Sequence, residues 1–246
     1  MRKGSYSEGK KYGFIFVKKI RPITKIEEVI FNGLNKDKKI VKRYVSDIKK
    51  LGISCSNVYY VSSKLLIQEY IKGISVDEYI NSNISDSEKI KIIKSILELF
   101  KLTLNSTNIR IDWNLNNFIL SNNKIILVDY IPSLYVDKLD SINTDITKDL
   151  YDLYNNLDIQ LCGIIGYSMV PFLEYDKDTF KNIYKEIIDY SNKIYIINRK
   201  KRHIFIERIL LIEEYLDSDM KKEEFISRFK DLSLSKKMKS NLEMGN

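Results

Sequence analysis

The sequence predicts an α+β protein, and three observations carry that prediction. Short runs rich in β-branched and aromatic residues crowd the stretch from Phe14 to Ile71. Long segments with apolar residues at helical spacing fill most of the chain after Gly73. The two kinds of signal are segregated along the chain, which argues against a parallel doubly wound sheet. At 246 residues the chain can bury a sizeable core, as one domain of two lobes or as two small domains.

The expected elements follow in order. Phe14-Ile15-Phe16-Val17 reads as a first strand and Val29-Ile30-Phe31 as a second. Asn35-Lys36-Asp37-Lys38 has turn chemistry, and Ile40-Val41-Lys42-Arg43-Tyr44 then reads as a third strand. Ile40, Val41, Tyr44, Val45, Ile48 and Leu51 also share one helical face, capped by Gly52. A helix from Lys36 to Leu51 therefore competes with the third strand. Val58-Tyr59-Tyr60-Val61 and the run Leu65 to Ile71, joined by Ser62-Ser63-Lys64, complete the strands.

Ser85-Asp86-Ser87-Glu88 has capping-box form and opens a long apolar helix through Phe100. Phe118-Ile119-Leu120, Ser121-Asn122-Asn123 and Lys124 to Val128 read as a tight hairpin. Helices are then expected over Ile146 to Leu157, Thr179 to Ile197, Ile204 to Leu216 and Glu223 to Leu232. Residues 1–12 and the polar tail, 235–246, read as loose ends.

Composition excludes several classes. No apolar run reaches the ~18 residues of a membrane span. The amino terminus has a basic start but no apolar segment, so no secretory signal is expected. Cys55 and Cys162 have neither CxxC spacing nor a histidine cluster, which argues against a zinc site and a disulfide framework and for a reduced cytoplasm. The formal net charge of +8 suits an anionic surface, phosphorylated substrates or nucleic acid. The chain is also rich in Lys, Ile, Asn and Tyr and poor in Gly and Pro. That bias fits an AT-rich coding sequence, and no nucleic-acid reader motif accompanies it, so nucleic acid is the least supported partner.

Chemistry concentrates in Ile109-Arg110-Ile111-Asp112-Trp113-Asn114-Leu115-Asn116-Asn117-Phe118 and in Val128-Asp129. An aspartate and, five positions on, an asparagine lie between two apolar runs, and a second aspartate closes the hairpin. Phosphoryl transfer uses this set: one carboxylate to receive a hydroxyl proton, then an amide oxygen and a second carboxylate for magnesium on ATP. Alone, D-x-x-x-x-N is a weak pattern in a chain this rich in Asn and Asp. The preceding helix and the following hairpin give it weight by placing all three polar side chains at one end of the hairpin.

Here the chain resembles the protein-kinase-like superfamily, especially small-molecule kinases of the aminoglycoside phosphotransferase type and the sugar kinases of lipopolysaccharide core. The resemblance covers residues 14–135. It implies a two-lobed fold, with a small antiparallel sheet in an amino-terminal lobe (1–72) and a mainly helical lobe (73–246). It makes Asp112 the catalytic base and Asn117 and Asp129 magnesium ligands. Leu65 to Gly73 is similar to the fifth strand and hinge, which puts Gln68 at the gatekeeper position. The Glu69 carbonyl and the Ile71 amide would meet the adenine edge. Lys42 is the favoured phosphate-gripping lysine, with Ile40 to Tyr44 as the third strand, because three strands then precede the helix; Lys18 or Lys19 takes that place if Lys36 to Leu51 is a helix.

Some features depart from the family. Arg110-Ile111-Asp112 stands where His-Gly-Asp or His-Arg-Asp is usual, and Tyr130-Ile131-Pro132 follows the second aspartate. No G-x-G-x-x-G loop exists, and only Asp47 and Asp37 stand near enough to pair with the lysine. The resemblance implies an ATP- and magnesium-dependent phosphotransferase acting on a hydroxyl of a small molecule or glycan. The alternative is a catalytically inactive kinase-like nucleotide-binding or regulatory module.

Other patterns weigh less. Gly4-Ser5-Tyr6-Ser7-Glu8-Gly9-Lys10-Lys11 nearly matches a P-loop, but no strand precedes it. His203, beside the basic run Arg199-Lys200-Lys201-Arg202, reads as a solvated or phosphate-facing histidine. Trp113 either lines an acceptor site or anchors its loop in the core.

Overall fold

The computed structural model describes residues 2–3, 7–21, 25–35, 39–62, 64–142, 144 and 147–232. The expected turn at Lys36-Asp37-Lys38, Asp37 as a lysine partner, Gly4-Ser5-Tyr6, Ser63, Ile146 and the tail 235–246 lie outside the described residues. The chain is α+β and divides into two compact units, Met1–Ser85 with Glu98–Asn156, and Asp86–Leu97 with Leu157–Asn246.

The first unit is built on a five-stranded antiparallel sheet. Its strands are β1 (Arg2–Lys3), β2 (Ser7–Tyr12), β3 (Ile15–Ile20), β4 (Val58–Val61) and β5 (Leu65–Glu69), in the order β1-β2-β3-β5-β4. Two helices, α1 (Lys25–Asn35) and α2 (Lys39–Lys50), separate β3 from β4. Residues 7–12, expected to be loose, are a strand paired along their whole length with β3. Gly9 lies in that strand, where a Cβ would come within 2.2 Å of the Phe16 ring. The P-loop-like run thus ends in an antiparallel hairpin, not at a helix N-terminus.

Two expected strands are helices instead. Val29-Ile30-Phe31 lies in α1, where Ile30, Phe31 and Leu34 are buried. Ile40 to Tyr44 lies in α2, where Ile40, Val41, Tyr44, Val45 and Ile48 form the single buried stripe. Strand pairing would have put Ile40, Lys42 and Tyr44 on one face and forced a lysine against the core. The helix turns Lys42 and Arg43 outward, and both are exposed. Gly52, at φ +90°, ends the segment in the left-handed conformation that glycine tolerates.

Along β3 and β5 the register sets Phe16 opposite Gln68 and Lys18 opposite Leu66. Period-two alternation therefore puts Phe16, Lys18, Ile20, Leu66 and Gln68 on one face. Of these, Lys18, Ile20, Leu66 and Gln68 are buried. The neighbouring Lys19 points the other way and is exposed.

A three-stranded antiparallel sheet follows, from β6 (Ile74–Ser75), β7 (Phe118–Ser121) and β8 (Lys124–Leu127). The predicted hairpin is present, with Ser121 opposite Lys124 and Asn122 and Asn123 at φ 48° and 60°. Asparagine accepts positive φ better than most side chains, which suits a two-residue turn. β8 also joins the segment ahead of β4: the Leu127 amide donates to Ser54 O at 2.9 Å and the Ser56 amide to Leu127 O at 3.1 Å. Helices α3 (Val76–Ile80), α5 (Val136–Ser141) and α6 (Lys148–Asn155) belong to this unit. The long helix α4 (Asp86–Thr103) gives residues to both.

The second unit is helical, with α7 (Leu157–Ser168), α8 (Lys177–Ile194), α9 (Ile204–Asp217) and α10 (Lys222–Asp231). α8 is capped by Asp176, whose side chain accepts from the Thr179 amide. α7 was not foreseen: its residues are apolar on nearly every side, so no period marks it. His203 is not solvated. It is buried and caps α9, its Nδ1 accepting from the Phe205 amide at 3.3 Å. Phe180, Tyr215, Phe225 and Phe229 pack as an aromatic cluster, with Tyr215 and Phe225 stacked at 4.2 Å. Among the described residues, no helix is long and apolar enough to cross a membrane.

Candidate active site

The loop ahead of β7 is an extended segment with alternating burial. Ile109, Ile111, Trp113 and Leu115 are buried, while Asp112 between them is half-buried and Asn114 and Asn116 are exposed. Trp113 stacks on Phe118 at 5.6 Å and meets Phe100 edge-on at 5.7 Å, so it anchors the loop in the core. The loop is pinned on its other side too. The Arg110 amide donates to Leu134 O at 2.9 Å, and the buried Tyr44 hydroxyl of α2 donates to Arg110 O. Tyr135 packs edge-on against Tyr44 and donates its hydroxyl to Asp47 at 3.0 Å.

Asp112 begins a tight local network. Its Oδ1 accepts from the Asn114 amide at 3.1 Å. A 3-10 turn, Leu115–Asn117, is capped by the Asn114 side chain. That turn brings Asn117 back, and its Nδ2 donates to the Asp112 carbonyl at 3.2 Å. With its nitrogen so engaged, Asn117 keeps its Oδ1 for a cation or donor. The Asn117 carbonyl accepts from the Val128 amide at 2.9 Å, which ties the turn to the end of β8.

Asp129 follows directly. Its Oδ2 is 3.0 Å from Lys18 Nζ on β3, and its Oδ1 accepts from the Ile131 amide at 3.4 Å. The Val128 carbonyl accepts twice, from Lys18 Nζ at 3.3 Å and from Gln68 Nε2 at 2.8 Å. Burial raises the Asp112 pKa; the Asn114 amide opposes the rise and the nearby negative charge of Asp129 adds to it. A like charge nearby disfavours the ionised form of a carboxylate.

Lys18, Asp112, Asn117 and Asp129 thus come together. Lys42 does not. It lies on the exposed face of α2, because the segment expected to be a third strand is a helix. The observed third strand is Ile15–Ile20, and Lys18 is the lysine it buries. Asp47 does not face Lys18 either, since Tyr135 and Lys50 engage it. Glu69 closes β5 and accepts from the Asn57 amide and Nδ2 at 3.1 and 2.8 Å; Ile71 follows two residues on, half-buried. Two connections escaped the sequence reading: Tyr44 to Arg110 O, and Gln68 to Val128 O. A glutamine directly after the apolar run Leu65-Leu66-Ile67 was the visible sign of the second.

Among the described residues no group of three or more His, Cys, Asp or Glu is arranged for a metal. The donors at this site are two carboxylates and one carboxamide oxygen. These are hard oxygens, the type that magnesium takes in small number beside phosphate and water. These residues could hold such an ion through the Asn117 and Asp129 side-chain oxygens. No protein-family model matches the chain, and no curated protein matches it.

Proposed function

We propose that this protein is an ATP- and magnesium-dependent phosphotransferase of the protein-kinase-like type, acting on a hydroxyl of a small molecule or glycan. The 3.0 Å approach of Lys18 to Asp129 carries the reading. In protein kinases the phosphate-binding lysine lies on the third strand and a metal-binding aspartate follows the catalytic loop. Lys18 is on β3, and Asp129 follows the Asp112–Asn117 loop by one hairpin. In the five-stranded sheet three strands precede α1 and α2 and two follow them, the second being the segment read as a fifth strand and hinge.

The roles follow from position. Asp112 orients the acceptor hydroxyl and takes its proton. Asn117 and Asp129 offer oxygens to magnesium, which, when bound, neutralises charge on the β- and γ-phosphates. Lys18 grips the phosphates. The Glu69 carbonyl and Ile71 amide meet the adenine edge. A small acceptor is favoured because the chain after Asp129 runs through buried residues 130–135 straight into α5, with no protein-kinase activation-segment motif.

One observation favours an inactive nucleotide-binding module instead. No carboxylate from α2 pairs with Lys18, and the helix's Asp47 is engaged elsewhere. Thermal shift with magnesium and ATP, followed by turnover with a panel of hydroxyl acceptors, separates the readings. A ligand that binds only the native state adds about 2.7 kcal/mol at 100 times its Kd. Stabilisation with turnover supports the phosphotransferase; stabilisation without turnover favours the inactive module; no stabilisation removes both.

A further inference from the structure

We infer that Gln68 is a positioning residue for Lys18, acting through the Val128 carbonyl; this rests on the phosphotransferase reading. Gln68 is 2% exposed and shares the buried face of the sheet with Lys18. Its Nε2 and Lys18 Nζ converge on one acceptor, the Val128 carbonyl, at 2.8 and 3.3 Å. The amide cannot be turned over, because its oxygen would then face that carbonyl oxygen.

In this orientation Gln68 Oε1 is buried without a hydrogen-bond partner among the described residues. A buried acceptor left unmet costs stability, and an apolar side chain of the same length would avoid the cost. A polar group kept at a loss to the fold points to a task outside folding. The task is set by how Lys18 is held. Among the described residues its ion-pair partner is Asp129, and no carboxylate of α2 reaches it. Once Asp129 turns to a metal, the Val128 carbonyl is the anchor that keeps the ammonium aimed at the phosphates. Gln68 holds that carbonyl in place.

Gln68→Met keeps the length and removes both polar ends. The ligand-free variant should melt at or above the wild-type temperature. Its Kd for magnesium–ATP should weaken about tenfold, while the Kd for adenosine, which has no phosphates, stays unchanged. In a Lys18→Met background the same change should have no further effect, because both act through one ammonium. Equal losses for ATP and adenosine would mean that Gln68 touches the base, and would overturn the inference. So would unchanged ATP affinity, or a tenfold loss that persists without Lys18. Gln68→Leu provides a second apolar variant; if both variants unfold, the glutamine is structural and the inference is rejected. Failure of the wild type itself to bind ATP would instead mark the phosphotransferase reading as wrong, and the inference would go with it.

Discussion

Lys18 Nζ and Asp129 Oδ2 stand 3.0 Å apart, the lysine side chain 7% exposed and the aspartate 31%. The asymmetry matters. Removing the aspartate leaves an enclosed ammonium that, among the described residues, has the Val128 carbonyl to face, whereas removing the lysine leaves a carboxylate that water still reaches. Asp129→Ala should cost about 2 kcal/mol, less than a fully buried pair because Asp129 is partly solvated. Lys18→Met should cost less, since methionine suits the apolar face. Urea unfolding of the two variants checks the order, and a larger loss for Lys18→Met would contradict it.

Lys18 and Lys42 make opposite predictions for nucleotide binding. Lys18→Met should weaken magnesium–ATP binding at least about tenfold, the equivalent of one charge-assisted contact. Lys42→Met, on the exposed face of α2, should leave it within about twofold, as expected for a screened surface charge. Titration calorimetry on both variants decides between them.

Asp112 and Asp129 should separate chemistry from binding. Asp112→Asn should lower turnover by about 10²–10⁴, the usual contribution of a general base, and leave ATP binding nearly intact. Asp129→Ala should abolish magnesium-dependent binding. The wild-type rate should also fall as pH drops through the raised pKa of Asp112, because the base must be ionised. Its acid limb should therefore lie above the ordinary aspartate value of 3.8. A rate profile flat down to that value would remove Asp112 from the role.

Asp47 links acidity to stability. Its pKa is lowered, first by the hydrogen bond from Lys50, with burial opposing and the Tyr135 hydroxyl assisting. A carboxylate depressed in the folded state stabilises it fully above the unfolded pKa, here 3.8, and the contribution is lost as pH falls through the lower folded value. Asp47→Asn should remove that dependence, worth less than about 1 kcal/mol because Lys50 is well exposed. Melting temperatures from pH 5 down to about pH 2.5, the range spanned by ordinary and depressed carboxylates, should converge for the two proteins at the acid end.

Cys55 and Cys162 should be inert in the native protein. Burial pushes each thiol up to about 12, and both are enclosed. A thiol reagent near pH 8 should label neither until denaturant is added. Rapid labelling of one in native buffer would show that its surroundings open.

Much of the site was legible because it is local. Asp112 and Asn117 sit five residues apart on one loop, and the two-residue turn at Asn122-Asn123 returns the chain to Asp129. Alternating apolar residues around Asp112 bury Ile111 and Trp113 and leave the carboxylate half out. The helix at α2 was legible only as one of two options. Its residues fit a strand in short windows, and the helical stripe is seen only when Val45 and Ile48 are counted with Ile40 and Tyr44. α7 was invisible, since a segment buried on all sides carries no phase.

By itself, then, the sequence determined the α+β division, the Asn-Asn hairpin and the Asp112–Asn117–Asp129 cluster, because backbone turns and side-chain periods act over a few residues. Which lysine joins that cluster was left to the tertiary structure. Lys18 and Asp129 are far apart in the chain, and they meet because α2 turns its charges to solvent while β3 and β5 bury the face that carries Lys18 and Gln68. Long-range burial, not local propensity, selects between two segments that each look plausible alone.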